Sequence, residues 1–145
     1  MSKRKAEFYL VDIFIASFKI DRYVSKFSNS DDFLHEDLYW DATIRELQII
    51  GEATNQLIKL EVLDNSYRDI VDFRNSIVHG YFGVDASMVW GIVKDDLKDY
   101  LESLNQVIKE KNINLAEAIK FAIKEYEEQS KKHIINFLKD MEPRL

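Results

Sequence analysis

The chain has no cysteine, a single proline and only four glycines in 145 residues. The absence of cysteine excludes disulfides and thiolate chemistry, and it suits a reducing compartment. The lone proline, Pro143, stands almost at the end, so no interior segment is barred from helix on that account. A β-rich domain of this length needs many more turn residues, and the scarcity of glycine and proline predicts an all-α fold. Long uninterrupted apolar runs are missing as well. Glu7, Asp12, Lys19 and Asp21 break up the apolar N-terminal region, so it reads neither as a signal peptide nor as a membrane span. The expectation is a soluble cytoplasmic protein with no membrane partner. An excess of positive charge is also lacking. The net charge is −6, which argues against a general nucleic-acid coating protein while leaving room for a local RNA site or a basic protein partner.

What is present is a 46% hydrophobic fraction, enough for one packed core. Residues 5–27 have helical spacing, with Leu10, Ile13, Phe14, Ser17, Ile20, Val24 and Phe27 on one face. Phe8, Val11, Ile15 and Phe18 make a second apolar row. A helix apolar on two sides needs two neighbours, within the fold or across a dimer. Ser28-Asn29-Ser30-Asp31-Asp32 is a polar break rich in capping residues. A second helix is predicted over about 33–61, with Gly51 and Ala53 inside it. Interior glycine costs about 1 kcal/mol relative to alanine, so Gly51 points to a close helix–helix approach, in the core or in a dimer contact.

A third helix is predicted from near Tyr67 to about His79, with Ile70, Phe73, Ile77 and Val78 buried and Gly80 as its terminator. A fourth covers about 86–110, striped by Trp90, Val93, Leu97, Tyr100, Leu101, Leu104 and Ile108. Asn112-Ile113-Asn114 is a break, and Asn114 with Glu117 resembles a capping box. A last helix then carries Leu115, Ile119, Ala122, Ile123 and Tyr126, and its stripe resumes at a shifted phase from Ile134 to Met141. The architecture expected is an antiparallel helical bundle of four main helices over residues 1–111. Residues 112–145 form a C-terminal helical extension packed on or beside it.

One stretch, Arg74-Asn75-Ser76-Ile77-Val78-His79-Gly80-Tyr81, gathers chemistry that the other histidines, His35 and His133, lack in sequence. Asn75 and His79 are four apart and share a helix face. Arg74 and His79 are five apart, about 140° around the helix, but arginine is long enough to reach the helix end. Metal-free RNA cleavage needs a group to move the 2′-hydroxyl proton and a cation to stabilise the phosphorane. Histidine suits the first role and arginine the second. A helix C-terminus favours protonated His79, and so an acid role as much as a base role. One imidazole cannot do both in a concerted step, whereas two copies brought together by a two-fold dimer can. An Arg-x4-His pair is expected by chance about 0.1 times in such a chain. Spacing alone therefore leaves open a helix-capping histidine with Arg74 paired to Asp72 or Asp69. No histidine pair has metal-ligand spacing, no phosphate-binding glycine loop is present, and Ser76 lacks a nucleophile elbow, so no metal or cofactor is expected. Glu125, Glu127 and Glu128 read as a solvated helix face, and Lys131-Lys132-His133 is too short a run to count as a nucleic-acid patch.

The stretch from Asp72 to Asp85 resembles the HepT-like branch of the HEPN superfamily, with its Arg-x4-His-x-Tyr motif. Ile49-Ile50-Gly51-Glu52-Ala53 looks like that family's Gly-Glu-Ala segment. Val89-Trp90-Gly91-Ile92-Val93 with Asp96-Leu97 looks like the start of its following helix. The likeness covers about residues 5–110. It implies a helical bundle that forms a two-fold homodimer, and the toxin of a toxin–antitoxin pair. The activity implied is metal-independent cleavage of RNA, with Arg74 and His79 as the catalytic pair. The partner implied is a minimal nucleotidyltransferase (MntA-like) that attaches AMP to Tyr81. Asn75, on the histidine's face, is expected to orient it, and Gly80, as the helix stop, to let the site residues converge. The alternatives are a non-catalytic subunit that binds nucleotide or substrate for such a nucleotidyltransferase, and a purely structural dimerisation domain.

Overall fold

The computed structural model describes residues 4–78, 86–129 and 131–142, and among these there are helices and no strand. Helix α1 is Ala6–Val24, α2 is Ser30–Leu34 and α3 is Asp37–Lys59. A 3₁₀ turn, Asn65–Tyr67, leads into α4, Arg68–Val78. Helix α5, Ala86–Gly91, runs through a π-turn, Ile92–Asp96, into α6, Leu97–Glu110. Helices α7, Ala116–Glu128, and α8, Lys132–Met141, follow. The fold is the all-α, HEPN-like bundle expected, with a C-terminal helical addition.

Most breaks fall where polar residues predict them. Asn29 caps α2, its side-chain oxygen accepting from the Asp32 amide at 2.9 Å. Helix α3 ends as Glu61 enters the left-handed region, at φ 62°, and the Val62 amide closes on the Leu57 carbonyl at 3.0 Å. Asn112 does the same after α6, at φ 51°, with the Ile113 amide 3.0 Å from the Ile108 carbonyl. Asn114 caps the next helix through the Ala116 amide. Glu117 does not complete the box; its carboxylate lies 3.7 Å from the Lys5 ammonium.

Two expectations are corrected. The helix expected over 33–61 is two helices, broken at His35-Glu36. Phe33 is fully buried among Phe27, Trp40 and Trp90, with ring centroids 5.4–5.8 Å apart, and this aromatic anchor turns the chain. The C-terminal stripe belongs to two helices, with α8 starting afresh after Lys131. On α4 Ile70, Phe73 and Ile77 pack half-buried against the core, Val71 is the fully buried one among the described residues, and the side chain of Val78 lies outside them.

Helix α1 is the axis of the core. One side packs on α3, and the row of Phe8, Val11, Ile15 and Phe18 is met by α7 and α8. Phe18 stacks on Phe137 at 4.3 Å, and Phe8 meets Phe121 edge-on at 5.5 Å. The two apolar faces of α1 therefore find their neighbours within one chain. Tyr100 ties α6 to α3 through a 2.6 Å hydrogen bond with Thr54, and burial holds its phenol well above its ordinary pKa, as a neutral hydroxyl. At the α1–α3 contact lies a buried carboxyl, Glu46, 6% exposed. Burial raises its pKa, and Lys19, Arg45 and Lys131 offset that only in part.

Phe137→Ala is expected to cost about 2 kcal/mol in denaturant unfolding, by removing the ring that joins α8 to α1. For Glu46 the folded pKa lies above the unfolded one, so its contribution to stability is full at low pH and is lost as pH rises through the folded value. Glu46→Gln is therefore expected to raise the melting temperature by about 1–3 °C at neutral pH and to leave it unchanged at pH values where the carboxyl is protonated in both states. Thermal melts at the two pH values check this.

Candidate functional site

The motif helix is started by its own sequence. Asp64 accepts the Ser66 amide at 2.9 Å and the Ser66 hydroxyl, and these bonds hold its carboxyl below its ordinary pKa. The chain then turns through the 3₁₀ segment into α4, which lies along α3. Arg68 at its start donates to the Asn55 side chain on α3 at 3.3 Å.

One turn and a half further on, α4 presses on Gly51. A β-carbon at Gly51 would overlap Arg74 Cβ, stand 2.7 Å from Arg74 Cγ and 3.4 Å from the Ile70 carbonyl oxygen. Gly51 thus marks a close approach inside the chain, and what approaches is the motif arginine itself. The Gly-Glu-Ala segment and the motif, 23 positions apart in sequence, meet at this point.

Arg74 is half-buried. Its Nη1 donates to Asn75 Oδ1 at 2.9 Å, and its Nε is shut off from solvent with no acceptor. Among the described residues it makes no ion pair, so the pairing with Asp72 or Asp69 is absent. A guanidinium offers five donors. Leaving the buried Nε unmet costs about 1–3 kcal/mol, and with one hydrogen bond at Nη1 among the described residues, the Nη atoms keep donors for an anion. Asn75 thus holds the arginine, while its expected contact with His79 lies outside the described residues. Ser76 turns its hydroxyl back onto the Asp72 carbonyl at 3.1 Å, an internal helix bond. His79, Gly80 and Tyr81 lie outside the described residues, as does the end of the helix expected near His79.

His35 is exposed, its Nδ1 2.6 Å from the Asp31 carbonyl, and plays a local part only. Among the described residues no three His, Cys, Asp or Glu side chains come together to hold a metal ion, and no helix is long and apolar enough to cross a membrane. Sequence reasoning missed the role of Asn75 as partner of Arg74. The signal available was adjacency, which in a helix normally points side chains apart.

The helical bundle thus brings the motif arginine of α4 against Gly51 of α3. The chain belongs to the HepT-like ribonuclease family: that family's sequence model, described as "Ribonuclease HepT-like", matches residues 15–110. It is similar to "Probable ribonuclease HepT" of Thermococcus cleftensis, 34% identical over 98 residues, which is 66% of this chain and 88% of that protein. It is also similar to "Putative RNase MJ1380" of Methanocaldococcus jannaschii, 32% identical over 100 residues, which is 67% of this chain and 91% of that protein. No solved structure matches it. The family match ends at residue 110, so α7 and α8 lie beyond it.

Gly51→Ala is expected to destabilise the protein by about 1–3 kcal/mol, although alanine is the better helix former, because its methyl group must displace Arg74. Denaturant unfolding of the variant beside the parent checks this.

Proposed function

We propose that the protein is the toxin of a toxin–antitoxin pair, an endoribonuclease that needs no metal and uses Arg74 and His79. The observation that carries this reading is the Arg74 guanidinium, seated in the family's motif with donors to spare. In a phosphoryl-transfer step at RNA, negative charge grows on the non-bridging oxygens as the 2′-oxygen attacks. Arg74 supplies a cation and a fork of donors for that charge. His79, one imidazole per chain, moves one proton in the step, taking it from the 2′-hydroxyl or giving it to the leaving 5′-oxygen. The second proton transfer falls to a second His79 in a homodimer.

Tyr81 is the point of control on this reading. An MntA-like minimal nucleotidyltransferase attaches AMP to its hydroxyl, placing bulk and a negative phosphate beside Arg74 and His79. That repels the RNA phosphate and occupies the space it needs. The family membership and the names of its relatives support ribonuclease activity. The toxin role, the dimer, the metal independence and the AMP switch are carried to this chain by the Arg74, His79 and Tyr81 pattern.

Purified protein is expected to cleave RNA in the presence of EDTA, with Arg74→Ala and His79→Ala each slower by about 100-fold or more. Tyr81→Phe is expected to keep cleavage and to escape silencing when the nucleotidyltransferase is co-expressed, with no added AMP in its intact mass. Full cleavage by the His79→Ala protein would contradict the catalytic assignment. Nucleotide binding without any RNA cleavage would instead make the protein a binding subunit.

A further inference from the structure

The chain is acidic overall, yet one flank of the bundle gathers cations from three separate helices. Lys19 and Arg22 come from α1, Arg45 from α3, and Lys131 and Lys132 from the start of α8, beside the His133 ring. Arg22, Arg45, Lys131 and Lys132 are exposed, and among the described residues none has a hydrogen-bonded or ion-paired side chain. Their proximity follows from the packing. His133 lies over Phe18 of α1, ring centroids 6.4 Å apart and planes within 26°. Phe137, one turn along α8, stacks on the same ring. The Lys19 ammonium lies 3.3 Å from the Tyr126 hydroxyl of α7. Partial burial and then Arg22, Lys131 and Lys19 lower the pKa of His133, so these cations share its surroundings. Lys19, Arg45 and Lys131 likewise act on Glu46.

Of the acids, Glu46 is buried beneath the flank, and Asp12 and Glu125 lie at its Lys19 edge, where burial first and then Glu46, Asp12 and Glu125 raise the pKa of Tyr126. Asp21 precedes Arg22 on α1, and the exposed cations Arg22, Arg45, Lys131 and Lys132 keep no acidic partner among the described residues. The outer surface therefore combines unpaired cations with an exposed ring on an aromatic base. Cations spread over three helices suit an extended chain of phosphates better than a single anion. An exposed ring beside them gives a base a surface to stack on. Glu46 and Gly51 are five residues apart on α3, about 140° around its axis, so this flank and Arg74 lie on different sides of that helix.

We propose that Lys19, Arg22, Arg45, Lys131, Lys132 and His133 form a docking surface for the RNA backbone, away from Arg74, completed by the C-terminal helices that the family match does not include. This rests on the ribonuclease reading and extends it: the substrate is an RNA long enough to pass from this flank around α3 to Arg74. The surface binds, Arg74 and His79 cut, and an RNA too short to reach both is cut without help from it.

The test compares the full-length protein with its Arg22→Glu, Lys131→Glu variant, both substituted positions being exposed. The probes are a labelled mixed-sequence RNA of about 40 nucleotides and one of about 6. The variant is expected to bind the long RNA at least tenfold more weakly, with the slope of log affinity against log salt reduced by about 1.5–2. It is expected to cleave the short RNA at the parent's rate. The neutral pair Arg22→Gln, Lys131→Gln is expected to show a smaller loss in the same direction. Unchanged affinity for the long RNA overturns the proposal. So does unchanged RNA affinity with lost binding of the nucleotidyltransferase, which would assign the surface to an acidic protein. Failure of the parent to cut either RNA counts against the catalytic reading, while its affinity for the long RNA still decides the docking surface.

Discussion

Gly51 and Arg74 cannot both carry a β-carbon in this structure, and much else follows from that exclusion. A bare α-carbon on α3 lets α4 come close enough for the arginine stem to lie against the α3 backbone. The guanidinium is then half-buried rather than free in water, where its charge is less screened and its direction is fixed by Asn75. A long, flexible side chain is thereby given one position, which on the proposed ribonuclease reading is the condition for stabilising a developing charge without reorganisation. The cost of glycine inside a helix is accepted at the place where the site needs the space.

The rest of the bundle holds that contact in place. Helix α1 forms the centre, with α3 on one side and the C-terminal helices on another, and α6 is tied to α3 through Tyr100 and Thr54. Helices α7 and α8 cover an apolar row of α1 that the residues before 111 leave partly unmet. They also bring Lys131, Lys132 and the His133 ring to the flank where α1 and α3 already carry three cations. A single addition to the family's bundle thus completes the core and changes the charge of one surface.

Much of this was legible in the sequence. Polar breaks at Asn29 and Asn112 mark real ends, because capping and left-handed turns are local chemistry. Gly51 announced a close approach, though spacing could not say whether the neighbour was another helix or another chain. The break at His35-Glu36 was hidden, since what turns the chain is the burial of Phe33 among rings distant in sequence. The Asn75–Arg74 bond was hidden because it depends on the arginine being pressed back by α3. The basic flank was hidden as well. Lys131-Lys132-His133 is a short run by itself, and Lys19, Arg22 and Arg45 join it only through packing. Of the motif, the arginine and its amide partner are placed by the fold, while the roles of His79 and Tyr81 are read from the sequence pattern.

The most direct test of this account is a double-mutant cycle between Gly51→Ala and Arg74→Gly, read by denaturant unfolding. If the missing β-carbon exists to seat the arginine, the alanine is tolerated much better once the arginine stem is gone. The predicted coupling is about 1–3 kcal/mol in that direction. Effects that simply add, within about 0.5 kcal/mol, would contradict it.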